Sequence, residues 1–174
     1  NLHLMSLKVF LICTLAVAAM AGFPRYTQCD RRWGGDRLGT HPTDTICKVG
    51  CVVTSVAMML AGHGVKINGE IATPKNLNQY LTRSGQYWKG DGFRWGSIEK
   101  FGYHYTGWTN AADAKNRMNN GQICILNVNG GHHYVLATGH NAQGFSTLDP
   151  GTGPKFDKTF HANGDVVGAP CYKR

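Results

Sequence analysis

The chain has 174 residues, room for one domain and too little for two. With 42% hydrophobic residues it can fill a core, which excludes a disordered polymer, and its 23 glycines favour short strands and turns over a helical bundle. The formal charge of +8 is scattered, with no polybasic run, so a nucleic-acid partner is not expected; no Asn-x-Ser/Thr acceptor for an N-glycan occurs.

In chain order, the first feature is a targeting segment. Lys8 supplies a positive charge, Val9 to Ala21 is a run of 13 apolar or small residues broken only by Thr14, and Ala19-Met20-Ala21 has the small-x-small form cut by signal peptidase. The run is too short to span a bilayer stably. Residues 1–21 are therefore expected to be a signal peptide, with Met5 able to serve as initiator and residues 1–4 upstream of it. The same run also suits a buried N-terminal helix or a membrane anchor. Cleavage would remove Lys8 and leave +7 on a single domain of residues 22–174. That domain is expected to be secreted, or held in the lumen of a secretory or lytic compartment, without stable membrane insertion. A basic secreted protein is drawn to acidic surfaces such as glycans and cell walls.

Six cysteines are present: Cys13, Cys29, Cys47, Cys51, Cys124 and Cys171. Cys13 leaves with the signal. An oxidising compartment pairs thiols, so the remaining odd count leaves one over, among 15 arrangements. Val52 to Ala61 is apolar or small throughout, long enough for a buried helix, and Gly62-His63-Gly64 stops it. Gly50 permits close backbone approach just before it. Cys51 then falls at the helix N-terminus, where unpaired backbone N–H groups and the dipole favour a thiolate. Cys47, one turn earlier, is read as loop. Cys51 is accordingly the expected free thiol, with Cys29–Cys47 and Cys124–Cys171 as the pairs. On its own, a Gly-Cys step before a helix suits a buried or bridged cysteine better.

Pro74 to Arg83 predicts a helix with Thr73 as N-cap, Pro74 in its first position, and Leu77, Tyr80 and Leu81 on one face. Gly90-Asp91-Gly92 is a turn, Phe93 to Phe101 a second short helix, Tyr103 to Trp108 a strand, and Asn110 to Met118 a third helix closed by Asn119-Asn120-Gly121. Trp33, Trp88, Trp95 and Trp108 suit either core packing, the commoner use, or a carbohydrate-stacking cleft.

The C-terminal half predicts an antiparallel meander: Gln122 to Val128, His133 to Gly139 and Phe145 to Asp149, joined by Asn129-Gly130-Gly131 and Asn141-Ala142-Gln143-Gly144. Alternation sets His133, Val135 and Ala137 on one face and His132, Tyr134, Leu136 and Thr138 on the other. A histidine at a strand start can reach a helix packed on the sheet. Asp149, ending the neighbouring strand, is placed to accept from its Nδ1–H and support an imidazolium. Taken singly, each also suits a turn-flanking role.

Together these segments resemble the bacteriocin-processing-peptidase-like branch of the papain-type cysteine peptidases. Tyr26-Thr27-Gln28-Cys29-Asp30-Arg31-Arg32-Trp33-Gly34 is similar to that family's Gln-x-Asp-x-x-Trp opening. Gly50-Cys51-Val52-Val53-Thr54-Ser55-Val56-Ala57-Met58 is similar to its Gly-Cys helix, and His133-Tyr134-Val135 through Gly139 to its His-aromatic-Val strand. Asp149-Pro150 follows sixteen residues after His133, a spacing typical of the family. The resemblance runs from Tyr26 to Pro150. It implies an α+β, papain-like fold whose N-terminal helix bears the nucleophile and packs on an antiparallel β-sheet. Cys51 would be the nucleophile, His133 the general base and acid, Asp149 the orienting carboxylate and Gln28 the oxyanion-hole donor. Here 23 positions separate Gln28 from Cys51, against a few in the leader-processing peptidases, with an insertion around Gly39 to Lys48. His133 is preferred over the adjacent His132 because it directly precedes the aromatic-Val pair.

No Cys-x-x-Cys or His-Glu-x-x-His spacing occurs, so neither a metal nor another cofactor is expected. The reading is a monomeric secreted cysteine peptidase acting on peptides or proteins. Two alternatives stand beside it: an inactive secreted binding or structural module of the same fold, and a hydrolase of bacterial cell-wall peptides.

Overall fold

The computed structural model describes residues 22–152 and 158–174; the expected signal segment and Cys13 lie outside the described residues. Among the described residues the helices are α1 (Ile46–Val49), α2 (Cys51–Gly62), α3 (Pro74–Arg83) and α4 (Ala111–Asn119). The strands are β1 (Lys66–Ile67), β2 (Glu70–Ile71), β3 (Tyr87–Trp88), β4 (Gly92–Phe93), β5 (His104–Thr109), β6 (Ile123–Val128), β7 (His133–His140), β8 (Gly144–Leu148), β9 (Phe160–Ala162) and β10 (Ala169–Lys173). All named pairings are antiparallel, and the class is α+β. None of the helices is long and apolar enough to cross a membrane.

Six strands form the main sheet in the order β5-β10-β6-β7-β8-β9. The expected meander is its middle, β6-β7-β8. Period-2 alternation then splits the core in two. Ile125, Leu136 and Tyr172 join the larger cluster with the buried side of α2, while Leu126, Val128, Val135 and Ala137 join a second cluster with Ala114 of α4. Helix α2 is apolar nearly all round, as a buried helix must be, with Val53 through Leu60 all inaccessible. It packs against β7, and Ser55 Oγ donates to the Tyr134 carbonyl at 3.1 Å.

Local chemistry explains the boundaries. Thr73 caps α3 reciprocally with Asn76: Asn76 N–H donates to Thr73 Oγ1 and Thr73 N–H to Asn76 Oδ1, with Pro74 in the first turn. Asn110 Oδ1 caps α4 by accepting from Asp113 N–H. Gly50 separates α1 from α2 in a space no side chain could share, since a Cβ there would sit 2.4 Å from the Ile46 carbonyl oxygen. Without a side chain there the chain can turn between the two helices, and Cys51 opens the long one.

Several expectations need correcting. Cys47 lies in α1, not in a loop; Thr45 Oγ1 caps that four-residue turn, too short to show a periodicity. Phe93 belongs to the β3–β4 hairpin, and the helix that follows is a 3-10 segment, Trp95–Phe101. The hairpin pairs only Tyr87 with Phe93 and Trp88 with Gly92, below the length at which alternation can be read.

Among the described residues the two disulfides are Cys29–Cys47 and Cys124–Cys171, as expected, and they fit a secreted or extracellular protein. Cys124 and Cys171 are directly paired across β6 and β10. This bond closes a span of 47 residues and should contribute about 4 kcal/mol by restricting the unfolded chain. The double variant Cys124→Ala/Cys171→Ala is expected to lose that much in denaturant unfolding. A loss below about 1 kcal/mol would show that the sheet order survives without the staple.

Candidate active site

Cys51 is half-buried and is the free cysteine of the described residues. As first residue of α2 it has its backbone N–H among those a helix leaves unsatisfied. His133 opens β7 and is only 4% exposed, whereas His132 beside it is exposed. Asp149 lies one residue past β8 and is 2% exposed. The structure brings the three together. His133 Nε2 is 2.6 Å from Asp149 Oδ1, and the same imidazole is hydrogen-bonded to the side chain of Cys51. Asp149 Oδ1 also accepts the Gly151 N–H at 2.7 Å.

The ring is reversed from the expected orientation: Nε2, not Nδ1, serves the carboxylate. Strand register supplies the reason. Leu136 pairs with Leu148, so one step on, Asp149 stands beside Val135 and diagonal to His133. A diagonal across neighbouring strands is roughly 7–8 Å, and bridging it takes the nitrogen farther from the backbone. Nδ1 is thereby left for the thiol.

Electrostatics follow from this placement. Burial acts to depress the His133 pKa, but hydrogen bonds and charges from Asp149 and Cys51 together outweigh it and raise the ring to about 9. Near neutral pH the ring is an imidazolium between two groups that favour its charge. Burial pushes the Tyr134 hydroxyl up, and Cys51 adds in the same direction.

Gln28 and Cys51, distant in sequence, line one cavity of about 330 Å³ together with His132, His133, Gly151 and Thr152. The intervening chain loops out, held by the Arg37–Thr45 bridge, and returns through α1, where Cys47 is tied back to Cys29. Gln28 is fixed twice: its N–H donates to the Pro150 carbonyl at 2.7 Å and its Nε2 to the Cys47 carbonyl at 2.6 Å. A primary amide has two N–H donors, and the Cys47 bond uses one of them. A second cavity of about 300 Å³ meets the first at Val49 and Cys51 and is walled by Leu38, Val52, Phe93, Trp95 and Tyr134. A groove with a polar and an aromatic half thus crosses the thiol. Of the four tryptophans, Trp95 lines it, Trp33 is core, and Trp88 and Trp108 are exposed.

His41, Asp44 and Asp91 are the one group of three ligand-type side chains among the described residues, with ligand atoms within 4.8 Å of one another. His41 Nδ1 there accepts the Asp44 N–H at 3.2 Å. Sequence reasoning also passed over His161, a fully buried histidine on β9. Its neighbours Phe160 and Ala162 are exposed, and nothing local in the sequence marks it. No family model, curated protein or solved structure matches the chain.

Proposed function

We propose that the chain is a secreted cysteine peptidase of papain-like type, hydrolysing amide bonds through a thioacyl-enzyme. The observation that carries this reading is a single imidazole bonded to both a free, half-buried thiol at a helix N-terminus and a buried carboxylate, beside an open groove.

His133 holds the Cys51 proton, leaving a thiolate that attacks the substrate carbonyl carbon. The resulting oxyanion is met by the Cys51 backbone N–H and the Gln28 side-chain amide. His133 then protonates the leaving amine as the C–N bond breaks, giving a thioester on Cys51. Water, deprotonated by His133, attacks the thioester and releases the acid, and the proton returns to the Cys51–His133 pair. Asp149 keeps the ring in one orientation and stabilises its cationic form. No step calls for a metal or organic cofactor.

The groove takes an extended peptide across Cys51, with apolar or aromatic side chains suited to the Trp95 half. The +7 charge left after loss of Lys8 favours a second substrate, the peptide cross-links of anionic bacterial walls. Turnover on unstructured peptides and on purified peptidoglycan, each with the unmodified protein and with Cys51→Ala, tests both. Cys51-dependent release of new amines from either substrate supports a peptidase, and the ratio picks the substrate; no Cys51-dependent release from either leaves the inactive binding module.

Gln28→Ala gives a narrower test. It is expected to lower kcat by about 10²-fold with little change in KM, because the lost donor serves the oxyanion and not the bound ground state. An unchanged kcat would remove Gln28 from the oxyanion hole.

A further inference from the structure

Trp108 is 45% exposed, yet the fold fixes it closely. It lies on β5, the edge strand of the main sheet. In a regular strand Tyr105 and Trp108, three residues apart, point to opposite faces. Here the pairing with β10 slips: Tyr105 stands opposite Tyr172, Gly107 opposite Cys171 and Trp108 opposite Pro170, so Thr106 is an extra residue. Gly107 completes this bulge at a φ of +104°, a value that favours glycine. The bulge turns Trp108 onto the face of Tyr105, and both rings meet Trp95, with centroids 6.1 Å away for Trp108 and 6.4 Å for Tyr105. Gly168 seats the indole, since a Cβ there would lie 2.0 Å from Trp108 Nε1. A bulge and two glycines thus hold an exposed tryptophan in one place.

That place adjoins the groove. The rings of Trp95, Trp108 and Tyr134 meet pairwise, at centroid separations of 5.6 to 6.3 Å. Trp95 and Tyr134 wall the cavity that reaches Cys51, so Trp108 continues the aromatic half of the groove outward. The surface is not purely apolar. The Tyr134 hydroxyl accepts from Asn127 Nδ2 at 3.1 Å, and its own proton has no acceptor among the described residues. The Trp95 indole N–H is likewise unpaired there, and it is not buried. An aromatic peptide side chain would cover the rings but leave both donors unmet. A sugar ring brings both parts: a face of C–H groups that stacks on an aromatic ring, and oxygens at its rim that accept.

We propose that Trp108, Trp95 and Tyr134 form a subsite for a sugar ring, so that the substrate of the Cys51 site is a peptide joined to a glycan. This rests on the cysteine-peptidase reading above. Trp108 supplies the stacking surface, and Trp95 and Tyr134 supply donors to the sugar oxygens. The peptide crosses the thiol while the sugar is held on the aromatic side, which is the chemistry of the sugar-linked peptides of bacterial walls.

Two ligands test it: a wall-type peptide with N-acetylmuramic acid on its N-terminus, and the same peptide with an acetyl group in place of the sugar. Binding is measured by calorimetry with Cys51→Ala, which lacks the nucleophile, and turnover with the unmodified protein. The sugar is expected to tighten binding about tenfold. Adding Trp108→Ala or Trp108→Leu should bring the ratio of the two affinities close to one, whereas Trp108→Phe, which keeps a flat ring, should preserve most of it. Leucine keeps apolar bulk without the ring and gives the reading should the alanine variant fold poorly. Equal affinities in the Cys51→Ala protein, or a ratio that survives both substitutions, overturn the inference, and Cys51-dependent amine release then leaves the peptidase reading standing. The expected ratios without Cys51-dependent release from either peptide overturn the peptidase reading, and with it the claim that the sugar belongs to a substrate.

Discussion

Cys51→Ala is expected to abolish amide hydrolysis, a loss on the order of 10⁴-fold or more in kcat, while the fold is kept. The magnitude follows from the role: without the sulfur there is no thioester, and what remains is oxyanion stabilisation and binding alone. Retention of the fold follows from position. Cys51 is half-buried at the first turn of α2, outside the inaccessible stretch Val53 to Leu60, and alanine is the best helix former. His133→Ala should match the loss to within about tenfold, because nucleophile and base act as one unit and their effects do not add. Rates on a fluorogenic peptide, with circular dichroism as the check on folding, decide it. A Cys51→Ala protein with more than about a tenth of the original rate would place the chemistry elsewhere.

Asp149→Asn is expected to lower kcat by at least about 10²-fold and to change how stability depends on pH. The sign is set by His133. Its folded value of about 9 lies above the ordinary 6.5, so its charge stabilises the fold fully below pH 6.5, and that contribution is lost as pH rises through 9. The asparagine amide leaves the imidazolium without its ion partner, so the ring falls back toward the ordinary value. The stability gap between unmodified protein and variant should therefore be widest near pH 6, at most about 3 kcal/mol, and should narrow toward pH 9.5. Denaturant unfolding at the two pH values measures it. A gap that is constant or widens with pH would mean that Asp149 does not hold the His133 charge.

What could be read from the sequence, and what could not, divides by distance along the chain. Helix α3 carried its own start signal in Thr73 and Pro74, which sets its first residue at Pro74. The β6-β7-β8 meander was readable because each strand is five to eight residues long and its turns are marked by glycine and asparagine. The insertion of β10 between β5 and β6 was not readable, because that pairing is set by the packing of Cys171 and Tyr172 against opposite cores, which no local pattern encodes. Nor was β9, three residues long, and with it His161 was missed.

The candidate site divides in the same way. Cys51, His133 and Asp149 stand out by residue type, spacing and the marks of a helix start and two strand ends. The nitrogen that His133 turns toward Asp149 depends on the β7–β8 register, where Leu136 meets Leu148, and the expectation of Nδ1 failed on that detail. The 23 positions between Gln28 and Cys51 made their proximity uncertain in sequence. The Cys29–Cys47 bond and the turn of α1 close that gap in space.

The central claim is that Cys51 is a nucleophile made reactive by His133. Mass spectrometry of the folded, unreduced protein after exposure to a cysteine-peptidase electrophile tests it most directly. The account predicts one adduct, on Cys51, with Cys29–Cys47 and Cys124–Cys171 intact and with labelling lost in His133→Ala. A folded protein that takes no label at Cys51, or one that labels equally well without His133, would contradict it.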